Sequence, residues 1–326
     1  MGYISPQLLD LPGKLHTVTG ERRDDARALT SEVTMTRVGV LGLGRMGLPI
    51  ARNLLDKGFE VIGYQRRPSP DLISAGGTQA DSPADLAARA DVLLSILPDI
   101  DAVRAVVSGP EGTLKSLRPG TVHIEMSTID VAEKAKVRDL VQQASGDLLD
   151  APISGSPSMV PPRLATTFAS GKGESIDAVA DVLAAISGPW VRAGEFGSGA
   201  HFKYIANLLL AVHTVAAAEA MSLADKAGLD LELVQRTLDE SIAGSMVWKR
   251  FGPRIRSREW LPAPGPIETL HEILVQIDAY KQEVGSRTPM FDVAKALYDD
   301  AMAHGRGHLD VSSVRDQLTG KIGPHS

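Results

Sequence analysis

The fold of this chain is constrained most by residues 38–47, Val-Gly-Val-Leu-Gly-Leu-Gly-Arg-Met-Gly, where a short apolar run feeds Gly42, Gly44 and Gly47 in G-x-G-x-x-G spacing. Met46, Ile50 and Leu54 then recur at helical intervals up to Gly58, and a second strand-like run spans 59–64. That order is strand, tight turn, helix, strand. In such a unit Gly42 lets the chain turn sharply, Gly44 lets backbone N–H groups approach a pyrophosphate, and Gly47 lets the helix pack tightly on its strand. The anion then sits at the positive end of the helix. The spacing alone is common in loops; its place between a strand and a helix, with the second strand at the right distance, is what points to dinucleotide binding. Contacts to the cofactor are expected from Gly42, Leu43, Gly44, Arg45, Met46 and Gly47. The alternative is a βαβ unit with a tight turn and no ligand.

Past the second strand lies Gln65-Arg66-Arg67-Pro68-Ser69. The end of that strand reaches the adenosine ribose, where an acidic side chain bonds the 2′-hydroxyl of NAD and a basic one accommodates the 2′-phosphate of NADP. No acid stands there and two arginines do, which favours NADP(H) over NAD(H). Arg66 is the expected phosphate clamp, with Gln65, Arg67 and Ser69 in support, although an exposed arginine can equally be solvated without a ligand. The chain then alternates: a helix at 83–89, a strand at 91–97 with Leu97 and Pro98 near the cofactor, a helix at 101–107, and a strand at 121–126 ending in Ser127-Thr128. Further strands are expected at 147–151, 165–171 and 189–192. This is the pattern of an α/β protein with a Rossmann-type, doubly wound parallel sheet, whose ligands lie outside the carboxyl ends of the strands. Ser127 and Ser154 both fall just past such ends.

At Gly197 the composition changes. Residues 200–227 contain no proline or glycine, so one long, largely buried helix is expected, followed by helices near 232–241, 267–284 and 290–304. The organisation read from this is an extension at 1–34, expected to be loosely ordered and without a secretory signal, a dinucleotide-binding domain at 35–196, and an all-helical domain at 197–326 for substrate and dimerisation. A helix apolar nearly all round must be covered, which suits an inter-domain helix that also holds a second subunit, in a dimer or tetramer. Residues 261–266, Leu-Pro-Ala-Pro-Gly-Pro, read as a stiff connector.

With 326 residues, 43% apolar and 23% charged, the chain has the composition of an ordinary globular protein. The balance of 34 basic against 40 acidic residues offers no footprint for nucleic acid or an anionic bilayer, and no run approaches membrane-spanning length. Cysteine is absent, which excludes disulfides and thiolate chemistry and permits a reducing compartment; a cytoplasmic location is expected. His304 and His308 have Gly305 and Gly307 between them, so no metal site is expected.

Three stretches coincide in order and spacing: 42–47, Asp150-Ala151-Pro152-Ile153-Ser154-Gly155-Ser156, and Gly197-Ser198-Gly199-Ala200-His201-Phe202-Lys203 with Asn207. Together they resemble the β-hydroxyacid dehydrogenase family, and Met126-Ser127-Thr128-Ile129 and residues 307–314 extend the resemblance from about Thr36 to the C-terminus. It implies an oxidoreductase acting on a small 3-hydroxy acid or aldehyde acid, with NADP(H) favoured by Arg66 and Arg67. Lys203 would be the general acid and base, Asn207 its orienting amide, and Ser127, Ser154, Gly155 and Ser156 the residues that receive the substrate. The residues themselves agree in part: a lysine near the start of an apolar helix is unusual, and burial would lower its pKa toward a working range. Asn207, four residues on, shares its face. Snorkelling to the surface is the alternative for Lys203, an interhelical hydrogen bond for Asn207, and a turn or cap role for each serine.

Departures from the family pattern concern the substrate wall. Ser156 replaces a second glycine, Arg163-Leu164 stands where a small residue and threonine are usual, and Glu272-Ile273 falls where Lys-Asp is common. Arg163 either contacts an anionic group or is simply exposed, and Lys249 and Arg250 do not by their position identify a second substrate charge. Two alternatives remain open: reduction of an imine or a carbonyl without a carboxylate on the same architecture, and a silent NADPH-binding module. The presence of Lys203 argues against imine reduction and against a silent module, and leaves a carbonyl substrate without a carboxylate open.

Overall fold

A computed structural model describes residues 35–319, so the readings made for 1–34 lie outside the described residues. Apolar residues make two parallel strands, β1 (Arg37–Leu41) and β2 (Glu60–Tyr64), joined by α1 (Gly47–Asp56), whose buried Ile50, Ala51 and Leu54 fall at helical spacing. The chain continues through α2 (Pro70–Ser74), β3 (Thr78–Gln79), α3 (Pro83–Arg89), β4 (Val92–Ser95), α4 (Ile100–Ser108), β5 (Val122–Glu125), α5 (Val131–Gln143) and β6 (Asp147–Asp150). Then come β7 (Ile153–Ser154), β8 (Thr166–Ser170), α6 (Gly173–Ala178), α7 (Ala180–Ile186) and β9 (Trp190–Gly194). Side-chain caps fix several helix starts: Ser82, Asp99 and Asp130 accept the backbone N–H of Asp85, Ala102 and Glu133.

The strand order is β3-β2-β1-β4-β5-β6-β8-β7, with β9 against β8. The order reverses between β1 and β4, which opens a crevice at their carboxyl ends. β1 to β6 are parallel, with Val38 opposite both Val61 and Val92. β8 instead runs antiparallel to β6 and β7, so the expected parallel sheet holds only for its larger part. The reason lies in the connection: residues 155–165 make a loop with a short 3-10 turn and no crossover helix, which returns the chain in the opposite direction.

The second half is helical: α8 (Ser198–Lys226), α9 (Leu231–Asp239), α10 (Met246–Ser257), α11 (Ile267–Glu283), α12 (Pro289–Ala303) and α13 (Arg315–Thr319). The sequence reading had no α10, because Gly252 and Pro253 interrupt it. Its start is set by Ser245, whose hydroxyl accepts the Trp248 N–H at 2.9 Å. Gly252 faces α9 closely enough that a Cβ there would lie 3.3 Å from the Gln235 side chain. The expectation that no run approaches membrane-spanning length is also corrected, since α8 is long and apolar enough by length and composition to cross a membrane. Here it is a core helix: Ala211, Val215, Ala218 and Met221 are buried in one cluster with Trp248 of α10, Leu274 of α11, and Phe291 and Tyr298 of α12. A separate core, including Val40, Leu94, Ile124 and Leu149, lies on the sheet.

Candidate active site

The glycine loop divides its work among three positions. Gly42 has φ +98° and donates its N–H to the Tyr64 carbonyl at 2.9 Å, and a Cβ there would lie 2.4 Å from the Ile96 carbonyl oxygen. At Gly47 a Cβ would lie 1.8 Å from the Gly42 oxygen, so α1 can start this close to β1 only with glycine. At Gly44 nothing lies within 4 Å. That open backbone beside a helix start is the space a pyrophosphate requires, and the residues fit a dinucleotide. Leu43 is buried against Gly63 and offers the ligand only its backbone, while Met46, half-buried, precedes α1. The Arg45 side chain is engaged elsewhere: its Nη2 donates to the carbonyls of Ala263, at 3.3 Å, and Pro264, at 2.6 Å, in the 261–266 connector.

Beyond β2, Gln65 donates to the Pro68 carbonyl at 3.3 Å. Arg66 and Arg67 are exposed, and among the described residues neither guanidinium has a hydrogen-bond or ion-pair partner. Ser69 is buried at the start of α2, with its N–H donating to Gln79 Oε1 at 2.8 Å and no cap bond from its hydroxyl.

From the glycine loop a chain of contacts runs to α8. Leu97, beside the notional Gly42 Cβ, donates its N–H to Ser127 Oγ at 2.9 Å; Pro98 follows, exposed. Ser127 is buried just past β5, and its own N–H donates to Glu125 Oε1 at 2.6 Å. The other Glu125 oxygen accepts the Ser95 hydroxyl, and Ser95 Oγ lies 2.7 Å from His123 Nε2. Burial lowers the His123 pKa to about 4, which keeps the ring neutral near pH 7.

The Ser127 carbonyl accepts a hydrogen bond from Lys134 Nζ at 2.8 Å, and the same ammonium pairs with Asp150 Oδ1 at 2.8 Å, both side chains being fully buried. Asp150 Oδ2 accepts the Ala200 N–H at 2.8 Å. The Ser170 hydroxyl lies within hydrogen-bond distance of both Asp150 oxygens, carbonyl and carboxylate, and accepts the Gly199 N–H at 3.0 Å. A carboxylate thus meets the positive end of α8, where charge and helix dipole attract. Gly199 allows the approach: a Cβ there would lie 2.3 Å from the Phe168 oxygen.

Lys203 stands one turn further along α8, on the face of Gly199. It is 8% exposed, and among the described residues it has no hydrogen-bond or ion-pair partner. Burial alone lowers its pKa to about 8. Asn207, the next turn on, is 5% exposed and its Nδ2 is buried without a partner. An orphaned buried amide costs about 1–3 kcal/mol, a cost that a ligand accepting its hydrogen bond would remove. On other faces of the same turns His201 stacks on Tyr280 of α11 with centroids 4.2 Å apart, and the Tyr204 hydroxyl donates to Gln276 Oε1 at 3.1 Å, which fixes the rotation of the helix.

Ser154 ends β7, half-buried and without a side-chain hydrogen bond among the described residues. Gly155 follows with its backbone exposed, and a Cβ there would lie 2.6 Å from the Ala165 Cβ. Ser156 Oγ lies 3.0 Å from Ser158 Oγ and accepts from Arg250 Nη2 of α10 at 2.6 Å. Of the departing residues, Arg163 donates to the Asn53 carbonyl at 3.2 Å, and Leu164 is exposed. Glu272 is held above the usual carboxylate range by partial burial and by the charges of Glu268 and Asp99.

The structure therefore brings together the segments bearing Gly42, Leu97, Ser127, Asp150 and Lys203, and leaves Arg45 turned to the connector. The sequence reading quoted Asp150 without a role and passed over Lys134, Ser170 and the Ser95–His123–Glu125 group. A signal existed for Lys134, since it shares helical spacing with the buried Val137 and Val141 on α5.

A profile of the NAD-binding domain of 6-phosphogluconate dehydrogenase matches residues 37–194, and one described as NAD-binding of NADP-dependent 3-hydroxyisobutyrate dehydrogenase matches residues 197–317. L-threonate dehydrogenase of Cupriavidus necator is 31% identical over 281 residues, covering 85% of this chain and 94% of that protein. Mitochondrial 3-hydroxyisobutyrate dehydrogenase of Rattus norvegicus is 33% identical over 296 residues, covering 88% of each. Among solved structures, 3-hydroxyisobutyrate dehydrogenase from Salmonella typhimurium superposes with a TM-score of 0.79 at 26% identity, over 86% of this chain and 99% of that one. An imine reductase from Pseudomonas sp. shares the fold, with a TM-score of 0.55 at 21% identity, over 87% of this chain and 99% of that one.

Proposed function

Because the chain belongs to the β-hydroxyacid dehydrogenase family and is an NAD(P)-dependent oxidoreductase acting on CH–OH groups, we propose that it interconverts a small 3-hydroxy acid and the corresponding aldehyde acid, with NADP(H) preferred. The observation that carries this reading is Lys203: a buried, unpartnered amine with its pKa lowered to about 8, one turn from the Asp150 anchor. A bound nicotinamide supplies or takes up the hydride. In reduction the Lys203 ammonium gives its proton to the oxygen of the carbonyl; in oxidation the neutral amine accepts the hydroxyl proton. Asn207 Nδ2 donates to the same oxygen, or the Asn207 amide oxygen accepts from Lys203 and orients it. Ser127, Ser154, Gly155 and Ser156 hold the acid group. The names of the two curated relatives each specify a hydroxy acid, which is in keeping with this substrate class.

The test is a set of steady-state rates with NADPH and NADH over aldehyde acids, keto acids and cyclic imines. Turnover confined to imines overturns the substrate reading. For the cofactor, Arg66→Ala/Arg67→Ala is expected to raise KM for NADPH roughly 10- to 100-fold, the range of one or two charged hydrogen bonds, with KM for NADH little changed. An unchanged NADPH preference removes the role assigned to these arginines.

The homo-oligomer rests on a stripe along α8, where Phe202, Ile205 and Leu209 are 45%, 57% and 47% exposed at helical spacing. A second copy of the chain would cover it, and a monomeric mass in sedimentation equilibrium excludes that assembly.

A further inference from the structure

Three cations besides Lys203 bear on the substrate loop: Arg163, which follows it in the sequence, and Lys249 and Arg250 on α10. Arg163 is bonded to the Asn53 carbonyl of α1, and Lys249 pairs with Glu240 at 2.9 Å. Arg250 differs from both. Its Nη2 donates to Ser156 Oγ at 2.6 Å and to Ser158 Oγ at 3.0 Å, on the loop that follows Ser154 and Gly155. Among the described residues it has no carboxylate partner, and Nη1 and Nε make no hydrogen bond. A guanidinium held only by two neutral hydroxyls keeps most of its fork for an anion.

Ser154, Gly155 and Ser156 themselves carry no charge. An acid group arriving at Ser154 and Gly155 meets hydroxyl and backbone donors from the loop, and its counter-charge must come from another element. α10 brings one.

We infer that Arg250 is a specificity-determining residue that pairs with the carboxylate of the substrate on the Ser154–Gly155–Ser156 loop, supplying from α10 a charge that the loop residues do not carry. Ser156 and Ser158 hold the guanidinium in place before the substrate arrives, which lowers the ordering cost of binding. The site then selects small anionic hydroxy acids over their neutral counterparts, and it repels an iminium ion by like charge. This inference rests on the substrate reading proposed above.

The experiment compares wild type with Arg250→Ala, Arg250→Gln and Arg250→Lys on a three-carbon 3-hydroxy acid and on its primary amide, with NADP+ as the oxidant. Arg250→Ala is expected to raise KM for the acid roughly 10- to 100-fold, with kcat within a few-fold and the amide unaffected; Arg250→Lys restores part of the loss. Equal losses on acid and amide overturn the inference, because they mark a role in holding the loop, and so does an unchanged KM for the acid. Arg250→Gln, which removes the charge and keeps most of the aliphatic stem, separates charge from fold should the alanine variant be unstable. A second readout is binding of the acid to the enzyme with NADPH by calorimetry. Acid binding that is lost in Arg250→Ala without turnover in wild type leaves the inference standing and removes the proposed activity; unaltered binding removes the inference.

Discussion

Replacing Lys203 with alanine is expected to lower kcat by roughly 10²–10⁴, the range of one positioned acid or base, with NADPH affinity retained. The pH profile gives the sign. With the Lys203 ammonium as the proposed proton donor in the reducing direction, the rate of wild type is expected to fall as pH rises through about 8. In the oxidising direction the neutral amine is needed, and the rate rises through the same pH. The variant should lose that inflection in both directions, and Lys203→Arg should not restore it, because arginine does not titrate there. Stability provides an independent check. The folded-state pKa of about 8 lies below the ordinary 10.5, so the unfolded chain binds more protons between those values. This residue therefore makes stability rise with pH across that window, and its ammonium is a burden below it. Lys203→Met is expected to melt higher than wild type at pH 7 while being inactive. A variant as active as wild type on any compound of the panel would show that the proton moves by another route.

The second large effect is expected at Lys134. Lys134→Met leaves the Asp150 charge buried without its counter-charge and should cost about 3–5 kcal/mol in denaturant unfolding. The pair Lys134→Met/Asp150→Asn removes both charges, keeps an acceptor for the Ala200 N–H, and should recover a large part of that loss. A double variant no more stable than Lys134→Met would mean that the uncompensated carboxylate is not the cause. Activity follows the same logic, since Lys134 ties the Ser127 carbonyl to the carboxylate that anchors α8.

Much of this arrangement was legible in the sequence because it is local. The glycine loop, strands β1, β2, β4, β5 and β6 with helices α1, α3 and α4, and the proline-free run of α8 each express themselves within a few residues, whereas α2, β3 and α5 went unread. The reversal at β8 did not, since an antiparallel strand has the same apolar composition as a parallel one. α10 was hidden by Gly252 and Pro253, both ordinary signs of a break, although Ser245 is a sound start signal. The polar residues inside the sheet were hidden for another reason. Ser95, His123 and Glu125 interrupt apolar strands, and only β4 pairing with β5, Ser95 opposite Glu125, reveals that Ser95 joins the other two, although His123 Nδ1 is left without a partner among the described residues. Arg45 belongs to the same class: its motif suggests a cofactor contact, whereas its bonds to Ala263 and Pro264 span more than two hundred residues of sequence.

The anchoring of α8 by Asp150 has a consequence for how such an enzyme changes over time. Lys134, Asp150, Ser170 and the first turn of α8 form one bonded set, and Ser156, Ser158 and Arg250 form another. Among the described residues no hydrogen bond joins the two. Packing through Trp248 of α10 still joins them, but on the proposed reading polar changes around Arg250 need not break the bonds that seat the first turn of α8. A lineage built this way diversifies its diet without reinventing its chemistry, and departures such as Ser156 and Glu272 are the changes that such freedom permits.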